Sequence, residues 1–143
     1  MDPLSVTAGI VGIVAPTLRC VGLLVKELQA IANAPDAIKT LTTDLESVHL
    51  ALASVQAVTD AQWKSLGETV TDQSKAAIIL CKDSCERFKT SLDSWTRHST
   101  DGKLSWRDRA TVGFFRQGDI KSMSEMLRNC NITLASVASI ATL

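Results

Sequence analysis

Four cysteines and two histidines are the residues of this 143-residue chain with the most obvious capacity for chemistry. Cys20, Cys81, Cys85 and Cys130 would suit an all-thiolate zinc site, and Cys81 and Cys85, four residues apart, would share one helix face. No CxxC knuckle accompanies them, however. Cys81, Cys85 and Cys130 fall instead within apolar repeats, where a reduced thiol behaves as a small buried hydrophobe. The expectation is therefore four core thiols, no metal, and no disulfide in a reducing cytosol. His49 and His98 stand on different segments, neither inside a catalytic motif, and the serines and threonines lack a glycine-rich nucleophile or phosphate loop. The sequence thus predicts no catalytic residue, no cofactor and no enzyme.

The chemistry that remains is that of a lipid surface. From Leu4 to Val25 the only formal charge is Arg19. A helix over that stretch would reach about 33 Å, against a hydrocarbon core of about 30 Å. The candidate inserting residues are Leu4, Ala8, Gly9, Ile10, Val11, Gly12, Ile13, Val14, Leu18, Val21, Gly22, Leu24 and Val25. Large side chains (Val11, Val14, Leu18, Val21, Val25 and Leu28, broadened by Ile10, Ile13 and Leu24) make one surface. Ser5, Ala8, Gly12, Ala15 and Gly22 make a second, of small residues. Two uses fit this pattern: a central helix enclosed by the other helices of a bundle, or a membrane helix whose small-xxx-small spacing allows close packing in lipid. Pro16 removes one backbone hydrogen bond and is expected to kink the rod. A signal peptide is disfavoured by Asp2 in place of a basic start and by Arg19; Asp2 reads as an N-cap and Pro3 as the first helical residue of a retained, cytosolic segment.

A second stretch also points to a membrane surface. Between Lys103 and Arg116, the cations Lys103, Arg107, Arg109 and Arg116 alternate with Trp106, Phe114 and Phe115, against the single anion Asp108. Such a mixture attracts anionic headgroups while its aromatics enter the interface. The rival role is a short helix whose aromatics plug one end of a bundle.

The elements that must position these residues read as helices. Ile38, Leu41, Leu45, Val48, Leu52 and Val55 repeat at alternating spacings of three and four, as do Ile78, Cys81, Cys85, Phe88, Leu92 and Trp95. A third seam is Ile120, Met123, Leu127, Cys130, Leu134, Val137 and Ala141. These seams predict an all-α fold, an antiparallel bundle of four main helices with a short additional helix over Ser105 to about Phe115. Pro35 and Asp36 open the second helix, Thr69 and Asp72 form an expected capping box for the third, and the fourth begins near Gly118. Asp60 to Glu68 and Ser99 to Leu104 read as loops short enough to join antiparallel neighbours. The 143 residues form one domain, and 15 basic against 15 acidic residues leave no excess for a nucleic-acid surface.

Four blocks, MDPLSVTAGIVGIVAPTL, NAPDAIKTLTTDLESVHLALASVQ, CERFKTSLDSWTRHS and GKLSWRDRATVGFFRQGDIKSMSEML, together resemble the fungal HeLo-like N-terminal domains, the group that includes the azaphilone pigment cluster protein L N-terminal domain. The resemblance covers the chain from Met1 to Leu143. It implies a helical bundle related to the HeLo domain of the HET-S system and similar to the necroptosis four-helix-bundle effector. It further implies the head of a larger protein, such as a fungal NOD-like receptor, acting in programmed cell death, heterokaryon incompatibility and innate immunity. On that pattern, oligomerisation frees the first helix, and the segment from Leu4 to Val25, with Gly9, Gly12 and Gly22, permeabilises the plasma membrane. The implied partners are anionic membrane lipids, further copies of the chain on activation, and an activating NOD-like receptor or amyloid-motif protein. The resting domain would be cytoplasmic. The alternative is a soluble adaptor that recruits protein partners without entering lipid.

Overall fold

In the computed structural model, which describes residues 6–31, 34–97 and 117–143, the chain is all-helical and holds no strand among the described residues. Its helices there are α1 (Val6–Gln29), α2 (Asp36–Gln56), α3 (Asp60–Leu66), α4 (Glu68–Arg97) and α5 (Gln117–Ala141). The three-and-four spacing explains the core. Every residue of the α2 seam is buried, as are Ile78, Cys81, Cys85, Phe88 and Leu92 of α4 and Ile120 through Val137 of the α5 seam. Ala141 is half-buried against them. Each fully buried Leu, Ile or Val contributes about 1.5–3 kcal/mol over exposure, so these seams hold the fold together.

The packing partners of each helix fix the topology. α1 packs on α2 and α4, and α5 packs on the same two helices. Gly22 faces His49, and the Gln29 amide donates to Glu46 Oε1 at 3.3 Å, so α1 and α2 run antiparallel. Cys130 lies beside the Ala77 carbonyl while Phe88 and Met123 line one groove, so α4 and α5 are antiparallel as well. The other two neighbouring pairs run parallel. Gly9 sits near Lys75 and Glu27 near Lys89 across α1 and α4. Asp44 pairs with Arg128, and Ala57 shares a groove with Thr142, across α2 and α5. α2 and α4 are not main packing partners, so the chain between them crosses one end of the fold instead of turning between neighbours.

That crossing corrects the expected loop from Asp60 to Glu68, because α3 occupies most of it. Thr59 is its N-cap: the Thr59 hydroxyl accepts from the Gln62 amide at 3.2 Å, and the Gln62 side chain accepts from the Thr59 N–H at 2.8 Å. This reciprocal pair satisfies two orphan donors at the helix start. Trp63 is 1% exposed and plugs the end of the fold, while Gln62 Nε2 donates to the Ala141 carbonyl at 2.8 Å. Gly67, at φ 96°, ends α3 and allows α4 to start at Glu68 without a loop. Thr69 is consequently already inside α4, and the capping box expected there is not at a helix start. Pro35 likewise sits one position earlier than expected, at the N-cap of α2, where its carbonyl accepts from the amides of Ile38 and Lys39.

Candidate membrane-inserting helix

The side of α1 that faces the core is set by Ile10, Val14, Thr17, Val21, Leu24 and Leu28, all buried at three-and-four spacing. Val11, Leu18 and Val25, expected at the centre of the apolar surface, are half-buried on one flank, and Ile13 is half-buried on the other. The true centre of the stripe is therefore rotated, and it includes a polar residue. Thr17 is tolerated there because its hydroxyl donates to the Ile13 carbonyl at 2.6 Å within its own helix.

Of the small-residue surface, Ala8, Gly12 and Ala15 are turned to solvent, Gly22 is half-buried, and Ser5 lies outside the described residues. Ala8, Gly12, Ala15, Pro16, Arg19, Leu23 and Lys26 form one exposed face, and a Cβ added at Gly12 would meet nothing within 4 Å. Gly9 and Gly22 are half-buried and lie nearer the neighbouring helices, beside Lys75 and His49. α1 is thus a peripheral helix with one side in solvent, which corrects the picture of a helix enclosed on all sides. Pro16 lies on that exposed side and α1 continues through it as one helical element. The segment Ala8–Gln29 is long and apolar enough to cross a membrane by length and composition, and 33% of its apolar 18-residue window is buried.

Polar ties to the neighbouring helices are gathered at the C-terminal end of α1. Lys89 of α4 bridges Glu27 at 3.2 Å and Asp93 at 2.8 Å. Burial pushes the Glu27 carboxyl above its ordinary value, against the opposing pull of the Lys89 hydrogen bond, and its Oε2 has no hydrogen-bond partner. The Asp93 hydrogen bond chiefly holds the Lys89 ammonium up. Gln29 to Glu46 is the matching tie to α2. The first turns of α1 lie against α4, where Lys75 Nζ comes within 3.9 Å of a Cβ built at Gly9.

All four cysteines are free and buried. Cys81 and Cys85 place their sulfurs 3.9 Å apart. Hydrogen bonding with Cys81 and then burial push the Cys130 thiol up, and burial above all raises Cys20. Thiols held protonated in this way are poor ligands and nucleophiles. No group of three or more potential metal ligands lies together among the described residues.

Several predicted site residues fall outside what the structure describes: Leu4 of the inserting set, and Lys103, Trp106, Arg107, Arg109, Phe114, Phe115 and Arg116 of the basic and aromatic segment. His98 and the side chain of Trp95 lie outside it too. Spacing alone did not reveal the clasp of Glu27, Lys89 and Asp93, since nothing in the sequence pairs α1 with a parallel α4. Comparison with curated proteins and with solved structures gave no match. A family model matches residues 1–143 from end to end, and the chain belongs to the pigment biosynthesis cluster protein PigL N-terminal family.

Proposed function

We propose that this domain is a four-helix bundle, closed at one end by α3, that permeabilises membranes by releasing α1 into lipid once several copies cluster. The observation that supports the reading is the character of α1: a segment fit to span a bilayer by length and composition turns Ala8, Gly12 and Ala15 to solvent. In lipid that face has a use, because Ala8, Gly12 and Ala15 would let helices from different copies approach closely. In water the buried stripe restrains the helix, since exposing Ile10, Val14, Val21, Leu24 and Leu28 costs about 1.5–3 kcal/mol for each one fully uncovered. The free domain is then inactive. Clustering supplies the compensating gain through high effective concentration of α1 copies.

On this reading the domain is a cell-death effector, cytoplasmic at rest and at the plasma membrane when active. Its partners are anionic lipids, met by the cations and aromatics between Lys103 and Arg116, and further copies of itself. A NOD-like receptor or amyloid-motif protein would provide the trigger. The test is dye release from anionic liposomes with the domain free and with it fused to an oligomerising tag, at equal domain concentration. Steeply greater leakage from the fused form is expected. Equal, negligible leakage from both forms would end the proposal.

A further inference from the structure

We propose that Glu27, Lys89 and Asp93 form a release device for α1: two carboxylates share one ammonium, and when α1 undocks Glu27 returns to water while Lys89 stays with Asp93. A half-buried ion pair between two helices ordinarily reads as a tie, but three observations point the other way. Lys89 lies 2.8 Å from Asp93 and 3.2 Å from Glu27, so the cation is closer to its neighbour on α4 than to the carboxylate it faces on α1. The contact of Lys89 with Asp93 spans one turn of a single helix and survives the departure of α1. Glu27 Oε2 is buried with no hydrogen-bond partner among the described residues, and a desolvated oxygen of this kind is a cost that only the docked state carries.

The surrounding charges do not relieve Glu27. On α4 the cation one turn further back, Lys82, stands 3.8 Å from Glu86 in a pair of its own. On α2 the neighbouring charge is Glu46, another anion, held by the Gln29 amide. On α1 itself, Lys26 belongs to the exposed face. Burial, with the Asp93 charge behind it, raises the Glu27 carboxyl against the pull of Lys89, as expected of a carboxylate short of partners. Position gives the device its use. Glu27 falls in the last turn of α1, at the end of the apolar segment Ala8–Gln29, so a spanning α1 would carry it to the water interface and not into hydrocarbon. This last consequence rests on the proposed membrane role, while the bias toward undocking does not.

Hydrogen exchange of the free domain at neutral pH, read by mass spectrometry on α1 peptides against α5 peptides of the same protein, tests the proposal. Glu27→Gln leaves one carboxylate to one ammonium, and exchange in α1 should slow by at least about threefold while α5 is unchanged. Asp93→Asn should slow it likewise, because Lys89 is then left to Glu27 and has no carboxylate to keep when α1 leaves. Lys89→Met retains an apolar stem but leaves two carboxylates facing each other, and should speed α1 exchange by at least about tenfold. Circular dichroism would verify the fold of each variant. Faster or unchanged α1 exchange in folded Glu27→Gln would mark an ordinary salt bridge and overturn the proposal, and equal slowing in α5 would overturn it by placing the effect on the whole fold. The expected pattern in a protein that never leaks liposomes would leave this inference standing and remove the membrane role.

Discussion

Gly12→Glu separates the folded domain from the inserted helix more cleanly than any other single change. In the folded protein Gly12 is exposed, its φ is that of ordinary helix, and a Cβ there has open space. The substitution should even stabilise α1 slightly, since a mid-helix glycine costs about 0.5–1 kcal/mol relative to a good helix former. In a bilayer the same carboxylate would sit near the middle of the apolar segment, where an ionised side chain costs about 2.5–3.5 kcal/mol on the insertion scale. At 1.4 kcal/mol per factor of ten, that is roughly a hundredfold for each helix, and more where several helices must enter together. The assay is thermal unfolding by circular dichroism beside dye release from anionic liposomes, using the tag-clustered form. The expected result is an unchanged or higher midpoint with leakage lost. A folded Gly12→Glu protein that leaks like wild type would refute the reasoning, because the exposed face of α1 would then never meet lipid.

Four further outcomes follow from the same geometry. Val14→Ala and Leu24→Ala remove fully buried side chains from the α1 stripe, and the larger truncation should cost about 2–5 kcal/mol in urea unfolding. In clustered form, both should leak more readily than wild type. Thr59→Ala removes the cap of α3 and should cost about 1 kcal/mol by the same measurement. Because burial raises the Glu27 carboxyl above its unfolded value, this group favours the fold when protonated: its contribution is complete below the ordinary carboxylate range and is lost as pH rises through the raised value. Glu27→Gln should therefore flatten that part of the stability profile between acid and neutral pH, as followed by denaturant midpoints. The four thiols should resist a disulfide exchange reagent in native protein and all react once it is unfolded, since each is buried and Cys20, Cys81 and Cys130 are held protonated.

The helical seams were legible because three-and-four spacing is a property of each segment alone: Ile38 to Val55 and Ile120 to Val137 are buried position by position. Thr59-Asp60-Ala61-Gln62 also carries a readable capping-box pattern, and α3 was missed because its seven residues are too few to show a period. In α1 nearly every position is apolar, so spacing could not choose which side faces inward. Burial chose Ile10, Thr17 and Leu24 over Val11, Leu18 and Val25. The parallel pairing of α1 with α4 and of α2 with α5 depends on which seams meet in space. Neither a seam nor a loop length encodes that choice, and the Glu27–Lys89 tie was hidden along with it.

Release of α1 from the core is the central claim, and a reversible cross-link to its neighbour tests it most directly. Gly22 and His49 face each other across α1 and α2, with 4.0 Å between a Cβ built at Gly22 and the imidazole Nε2, so Gly22→Cys with His49→Cys places two thiols on facing turns for a short, reducible bis-thiol cross-linker. The cross-link would be verified by mass spectrometry and leakage measured with the tag-clustered form on anionic liposomes. Locked protein should leave the liposomes intact and reduction should restore leakage to the unlocked level. Equal leakage from the verified locked and reduced forms would contradict the account.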